Sequence, residues 1–127
     1  MTRIRLTIRS ALVALAALAL AVPLGAPARS TKTTLKGTVG PGFTISLKKL
    51  NGVKVKTLPH GVYVFKVTDK SSSHNFRITG PGVRKSITTV GFVGTPKVPT
   101  VLTLKKGKYT FFCVPHALDM RGTFTVT

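Results

Sequence analysis

From Leu35 onward, no stretch of the chain carries apolar residues at the three-to-four-residue spacing of a helix; short runs rich in Val, Ile, Thr, Phe and Tyr are instead cut by Gly, Pro and Asn at short intervals. A helix needs a longer uninterrupted period to build its apolar stripe, whereas a strand needs only a few alternating residues before a turn. The pattern predicts an all-β domain, a Greek-key β-sandwich or barrel of about eight strands. Leu35 to Val39 and Phe43 to Leu47 make the first two strands around Gly40-Pro41-Gly42. Asn51-Gly52 is a strong hairpin signal, so Val53 to Thr57 should return against the second strand. Val62 to Asp69 is the clearest strand, with Tyr63, Phe65 and Val67 on one face. Asn75 to Thr79 and Val83 to Thr89 flank Gly80-Pro81-Gly82, Val90 to Pro99 is a loop, and Val101 to Lys105, Tyr109 to Cys113 and Gly122 to Val126 complete the set.

The first 28 residues stand apart. Arg3, Arg5 and Arg9 form a basic leader, Ala11 to Val22 is a continuous apolar run, and Ala26-Pro27-Ala28 offers a small-x-small cleavage site. That order is the plan of a secretory signal peptide, and the run is short of the ~20 residues that span a bilayer. An uncleaved anchor is the alternative reading. Cleavage after Ala28 leaves 99 residues, enough for one domain with a modest core. Arg29 to Thr34 is polar and reads as a flexible tail ahead of a domain over residues 35–127. Export places the protein in the periplasm, at the cell surface or outside the cell.

The chain has 20 Lys and Arg against two acids; without the leader the net charge is still near +15. A field of that sign attracts anionic partners and speeds their association. Export argues against nucleic acid, leaving an acidic redox protein, an anionic membrane or an acidic cell-wall polymer. Plain solubility charge on exposed strand faces is the alternative.

One stretch concentrates the chemistry: Tyr109-Thr-Phe-Phe-Cys113-Val-Pro-His116-Ala-Leu-Asp-Met120, spaced Cys-x2-His-x3-Met at the end of an alternating run. It holds the only cysteine, which can close no internal disulfide and, in an oxidising compartment, is a hazard unless something occupies it. A thiolate, an imidazole and a weak thioether are the donor mixture that suits a copper ion shuttling between its two oxidation states. A second imidazole is available at His74 in Ser71-Ser-Ser-His74-Asn75-Phe76. Alternation puts Tyr109, Phe111 and Cys113 on one face, which their size marks as the core side. Each residue alone has an ordinary reading, Cys and Met as core fillers and His as a solvated side chain; together at strand ends they argue for one site. His60, in a Pro-His-Gly turn without partners, is left out of it, and Asp119 is taken as a loop cap or solvated acid. Pro115 has no N–H to donate to a nearby thiolate.

With these residues in view, the chain resembles the cupredoxins, the blue-copper family of plastocyanin, azurin, amicyanin and pseudoazurin. His74-Asn75 followed by Phe76 resembles the family's first-ligand motif, and Tyr109-x-Phe111-x-Cys113-x-x-His116-x-x-x-Met120 its closing ligand loop. Three residues separate His116 from Met120, against two in amicyanin-like and four in pseudoazurin-like loops. The resemblance implies a trigonal set of His74, Cys113 and His116 with Met120 as a long axial ligand. It also implies that Asn75 ties the two ligand loops together by hydrogen bonds, and that His116 is the ligand near the surface where the electron leaves. Val114, Pro115, Ala117 and Leu118, with Gly80-Pro81-Gly82, would then form an apolar patch for docking a partner. The expected function is one-electron transfer by an exported, monomeric type 1 copper protein that is not an enzyme. Copper delivery or sequestration is the second reading, and a metal-free adhesive sandwich the third.

Overall fold

The computed structural model describes residues 25–26 and 31–127. Apart from Gly25 and Ala26, the expected signal segment lies outside the described residues. Among the described residues, nine strands form two sheets: β1 (Thr33–Val39), β2 (Ile45–Lys49), β3 (Thr57–Leu58), β4 (Gly61–Asp69), β5 (Arg77–Gly80), β6 (Val83–Ser86), β7 (Thr100–Leu104), β8 (Gly107–Phe112) and β9 (Arg121–Val126). One sheet has the order β2-β1-β4-β7 and the other β3-β9-β8-β5-β6. A single 3-10 turn, Val114–His116, interrupts the β pattern among the described residues.

The alternation predicted for the clearest strands decides which face is buried. On β4, Tyr63, Phe65 and Val67 are buried while Lys66 is exposed. On β8 and just beyond it, Tyr109, Phe111 and Cys113 are buried. The inner faces meet in one core that includes Leu35, Phe65, Phe76, Ile78, Tyr109 and Met120. Full burial of a side chain of this size stabilises by ~1.5–3 kcal/mol, so these few positions carry much of the fold. Phe76 lies stacked on Phe111, ring centroids 5.6 Å apart and planes 2° from parallel. It fits there because β1 has a glycine opposite: a Cβ on Gly37 would sit 3.1 Å from the Phe76 ring and 2.8 Å from Val67.

Three expectations change. The polar segment before Leu35 is not all tail: Thr33 and Thr34 already pair with Tyr63 and Val64, because β1 runs parallel to β4 and the ladder extends as far as β4 does. The Asn51-Gly52 hairpin forms, with Gly52 at positive φ and Lys49 N–H donating to Val53 O. Its return strand, however, pairs with β2 only at the Lys48–Lys54 bridge. Val55 and Leu58 turn into the core, and the chain crosses to the other sheet, where β3 runs parallel to β9. The second strand starts at Ile45, not Phe43, leaving Phe43 exposed in the preceding bend.

Candidate metal centre

Two connections meet at one rim of the sandwich. The first, Lys70 to Phe76, leaves β4 in one sheet and enters β5 in the other; the second joins β8 to β9. Because β5 and β8 are antiparallel with Arg77 opposite Phe112, continuing the register by two residues sets Asn75 opposite Val114. The structure realises this pairing through a side chain: Asn75 Oδ1 accepts the Val114 N–H at 2.7 Å. Asn75 is buried, so this bond locks two loops that strand pairing alone leaves open.

The β8–β9 connection is equally constrained. Cys113 precedes the 3-10 turn in extended conformation, Pro115 lies within the turn's first two positions, and His116 ends it. Cys113 N–H donates to Met120 O at 2.9 Å and Met120 N–H to His116 O at 2.8 Å. The three residues are therefore held on one closed loop, with Cys113 and Met120 fully buried and His116 half-buried.

The side chains of His74, Cys113 and His116 converge. Cys113 Sγ is 3.7 Å from His74 Nδ1 and 3.6 Å from His116 Nδ1, and the two Nδ1 atoms are 3.1 Å apart. Among the described residues this is the group of His, Cys and acidic side chains able to hold a metal ion. Bonds of ~2.0 Å to imidazole nitrogen and ~2.3 Å to thiolate, at ~100–115° around one centre, put donors at about these separations. One sulfur and two imidazoles form a borderline-soft set suited to copper. The donors fit that ion, and the polar neighbours of Sγ among the described residues are the two imidazole nitrogens.

Other expected positions separate cleanly. His60 Nδ1 lies 3.1 Å from Thr127 O, away from the cluster. Asp119 is exposed on the turn, its N–H donating to His116 O. Val114 and Leu118 are exposed, and Ala117 lies half-buried beside them. Gly80-Pro81-Gly82 does not join this patch. A Cβ on Gly107 would touch Pro81, which places that turn at the opposite end of β8 from Cys113.

Two contributors lay beyond reach of the sequence pattern. Phe43, 65% exposed, lies edge-on to His116 with centroids 4.8 Å apart, and 5.8 Å from His74. It supplies the apolar cover expected from Gly80-Pro81-Gly82. The other is a buried polar chain under the His74 loop. Asp69 Oδ1 accepts the Ser71 N–H at 3.2 Å, Asp69 Oδ2 accepts from Thr88 Oγ1 at 2.7 Å, and Thr88 Oγ1 accepts the Phe76 N–H at 2.8 Å. Asp69 and Thr88 are both buried, and their bonds grip the loop on either side of His74. The signal available in the sequence was an acid at the end of an otherwise apolar strand face.

Thr88→Val keeps the shape but strands a buried carboxylate oxygen and the Phe76 N–H. Each orphan costs ~1–3 kcal/mol, so the two together should lower stability by roughly 2–6 kcal/mol in thermal unfolding. Copper should also leave faster to a chelator, and Thr88→Ser should restore both. Unchanged copper release in the valine variant would mean that the chain does not position His74.

The family model for copper-binding proteins of the plastocyanin/azurin family matches residues 32–127. Among solved structures, a substituted rusticyanin is similar at 23% identity and a TM-score of 0.50, covering 78% of this chain and 80% of that one. Rusticyanin from Thiobacillus ferrooxidans is similar at 23% identity and a TM-score of 0.49, covering 74% and 76%. A search of curated proteins found no match.

Proposed function

This chain belongs to the plastocyanin/azurin family of copper-binding proteins, and we propose that it is an exported one-electron carrier whose copper would be held by His74, Cys113, His116 and Met120. Copper in that site supplies reversible one-electron exchange. The residues around it supply the conditions for fast exchange. Met120 and Cys113 are fully buried and His74 is 5% exposed, so water is kept from these three donors. The Asn75–Val114 bond and the Asp69–Thr88 chain fix the loops independently of any metal, so the donors keep their positions in both oxidation states.

The observation that carries this reading is the asymmetry of the cluster: three converging donors, of which His116 is the one half-exposed. An electron has one short way out, through the His116 ring. Around it, Phe43, Val114 and Leu118 are exposed, with Pro115 and Ala117 between them. Transient redox contacts bury little area, which supports a docking role for this small apolar rim. The charge of the rest of the chain favours an acidic partner. The signal-peptide plan of residues 1–28 supports an exchange outside the cytoplasm.

The test is to load the purified protein with one equivalent of Cu(II), reduce it with ascorbate and reoxidise it with ferricyanide through repeated cycles. Full recovery of the visible band, with copper retained against a chelator in both states, is the expected result. Rapid loss of the metal in the reduced state would overturn the carrier reading and point to copper delivery.

A further inference from the structure

The strand register assembles a feature that the linear order of the lysines conceals. Lys36 on β1 is opposite Lys48 on β2 and, on its other side, opposite Lys66 on β4; Lys48 is bridged in turn to Lys54. All four are exposed and share the outer face of the four-stranded sheet. At the ~4.8 Å spacing of neighbouring strands, they make a straight row ~14 Å long. Like charges set directly opposite one another are destabilising, and nothing offsets them: of the two acids, Asp69 is buried in the loop network and Asp119 lies on the turn after His116.

A second row runs alongside. Thr38 is paired with Ser46 and with Thr68, and Thr68 Oγ1 is 2.8 Å from Thr95 Oγ1. Beyond Lys66 the face ends in a mostly apolar cleft of about 230 Å³, lined among others by Phe65, Val67, Ile87 and Pro96, with Lys66 and Lys97 also in its wall. Cations in a line and hydroxyls in a parallel line match a linear polymer that repeats an acid group and displays hydroxyls. An acidic protein surface has no reason to present its charges in single file. We propose that this face binds a linear acidic polysaccharide, lying across the strands with its carboxylates on the lysines and its hydroxyls toward Ser46, Thr38 and Thr68. Lys36 and Lys66 sit three residues before the ends of β1 and β4, ~10 Å along the strands from the rim that holds His74. The polymer would tether the protein while leaving His116 free.

The test uses the copper-loaded protein and a polygalacturonate decamer, with binding followed by calorimetry over a range of salt concentrations. One variant replaces the row (Lys36→Thr, Lys48→Thr, Lys66→Thr). A charge-matched control replaces the β7–β8 turn at the other end of the strands (Lys105→Thr, Lys106→Thr, Lys108→Thr). An unchanged visible band verifies the fold of both. The row variant should lose roughly tenfold or more in affinity and two to three units of salt slope, and the control much less. Equal losses in the two variants would show that net charge alone attracts the polymer and would overturn the proposal. So would tighter binding of the wild-type protein to a short DNA duplex or to phosphatidylglycerol vesicles than to the decamer.

Discussion

Cys113→Ser should abolish the intense visible band of the copper-loaded protein and weaken Cu(II) binding by more than about 100-fold, the upper end of what is lost when a residue merely supporting a ligand is removed. A metal-bound cysteine is a thiolate outright, and its soft sulfur gives both the charge-transfer colour and the covalency that binds copper in either oxidation state. Serine places a hard hydroxyl there that keeps its proton. The substitution is close to isosteric, and the position is fully buried between two imidazoles 3.6 and 3.7 Å away. A serine oxygen sits closer to Cβ than the sulfur does, beyond hydrogen-bond reach of either imidazole at these separations, so the apoprotein should lose about 1–3 kcal/mol of stability and still be folded at room temperature. A folded but colourless variant separates donor loss from misfolding. A serine variant that still takes up one equivalent of Cu(II) with the same band would remove Cys113 from the site. His116→Ala should differ in kind. It opens the half-exposed corner of the cluster, and externally added imidazole should restore colour there.

The parts of the fold that could be read from residues alone are those where one strand face is buried and the chain is locally uninterrupted. Tyr63, Phe65 and Val67 alternate with exposed or half-exposed partners because β4 has a sheet face toward the core and another toward solvent. The same rule oriented Tyr109, Phe111 and Cys113. Cys113, His116 and Met120 were legible as a set because a single turn returns the chain to the same point within eight residues, so spacing and proximity coincide. His74 is legible as the second imidazole that such a donor set needs, and the Asn75–Val114 bond supplies the reason that a His-Asn pair is useful there.

What stayed hidden depends on pairings between distant segments. The two residues of β3 have no pattern of their own; they are a strand because the end of the chain, β9, lies beside them. Phe43 reads as the first residue of a strand, and only the bend before β2 carries it out over His116. Asp69 and Thr88 are separated by the whole ligand loop and β5–β6, so their bond has no sequence signature. The lysine row depends on register, and a one-residue slip of β1 would turn Lys36 into the core. Gly80-Pro81-Gly82 lies at the opposite end of the molecule from the ligand loop for a related reason. Composition identifies a turn, but the antiparallel pairing of β5 with β8 decides which rim it occupies.

That turn carries the largest expected effect on stability. Gly80 lies against the ring of Tyr109: a Cβ there would overlap Cδ1 of the ring and stand only 2.6 Å from Cγ. The backbone of Gly80 needs no left-handed conformation, so alanine would be tolerated if space were the only question elsewhere in the turn; here space is lacking. The ring cannot retreat. On its other side it stacks on Phe124, centroids 5.3 Å apart and planes 14° from parallel. Its hydroxyl accepts the Lys105 N–H at 3.0 Å and has the carbonyls of Lys105 and Pro81 at 3.0 and 3.2 Å as acceptors. Overpacking a core usually costs ~1–3 kcal/mol, and with both faces and the tip of the ring fixed Gly80→Ala should reach about 3 kcal/mol or more. For a domain near 100 residues, each kcal/mol moves Tm by ~4–8 °C, so a fall of at least ~12 °C is expected. The visible band recorded well below the transition should not change, because Gly80 and Cys113 lie at opposite ends of β8. Tyr109→Leu removes the obstructing ring, and in that background Gly80→Ala should cost far less than in wild type. An undiminished cost there would mean that the glycine is needed for some reason other than the tyrosine ring.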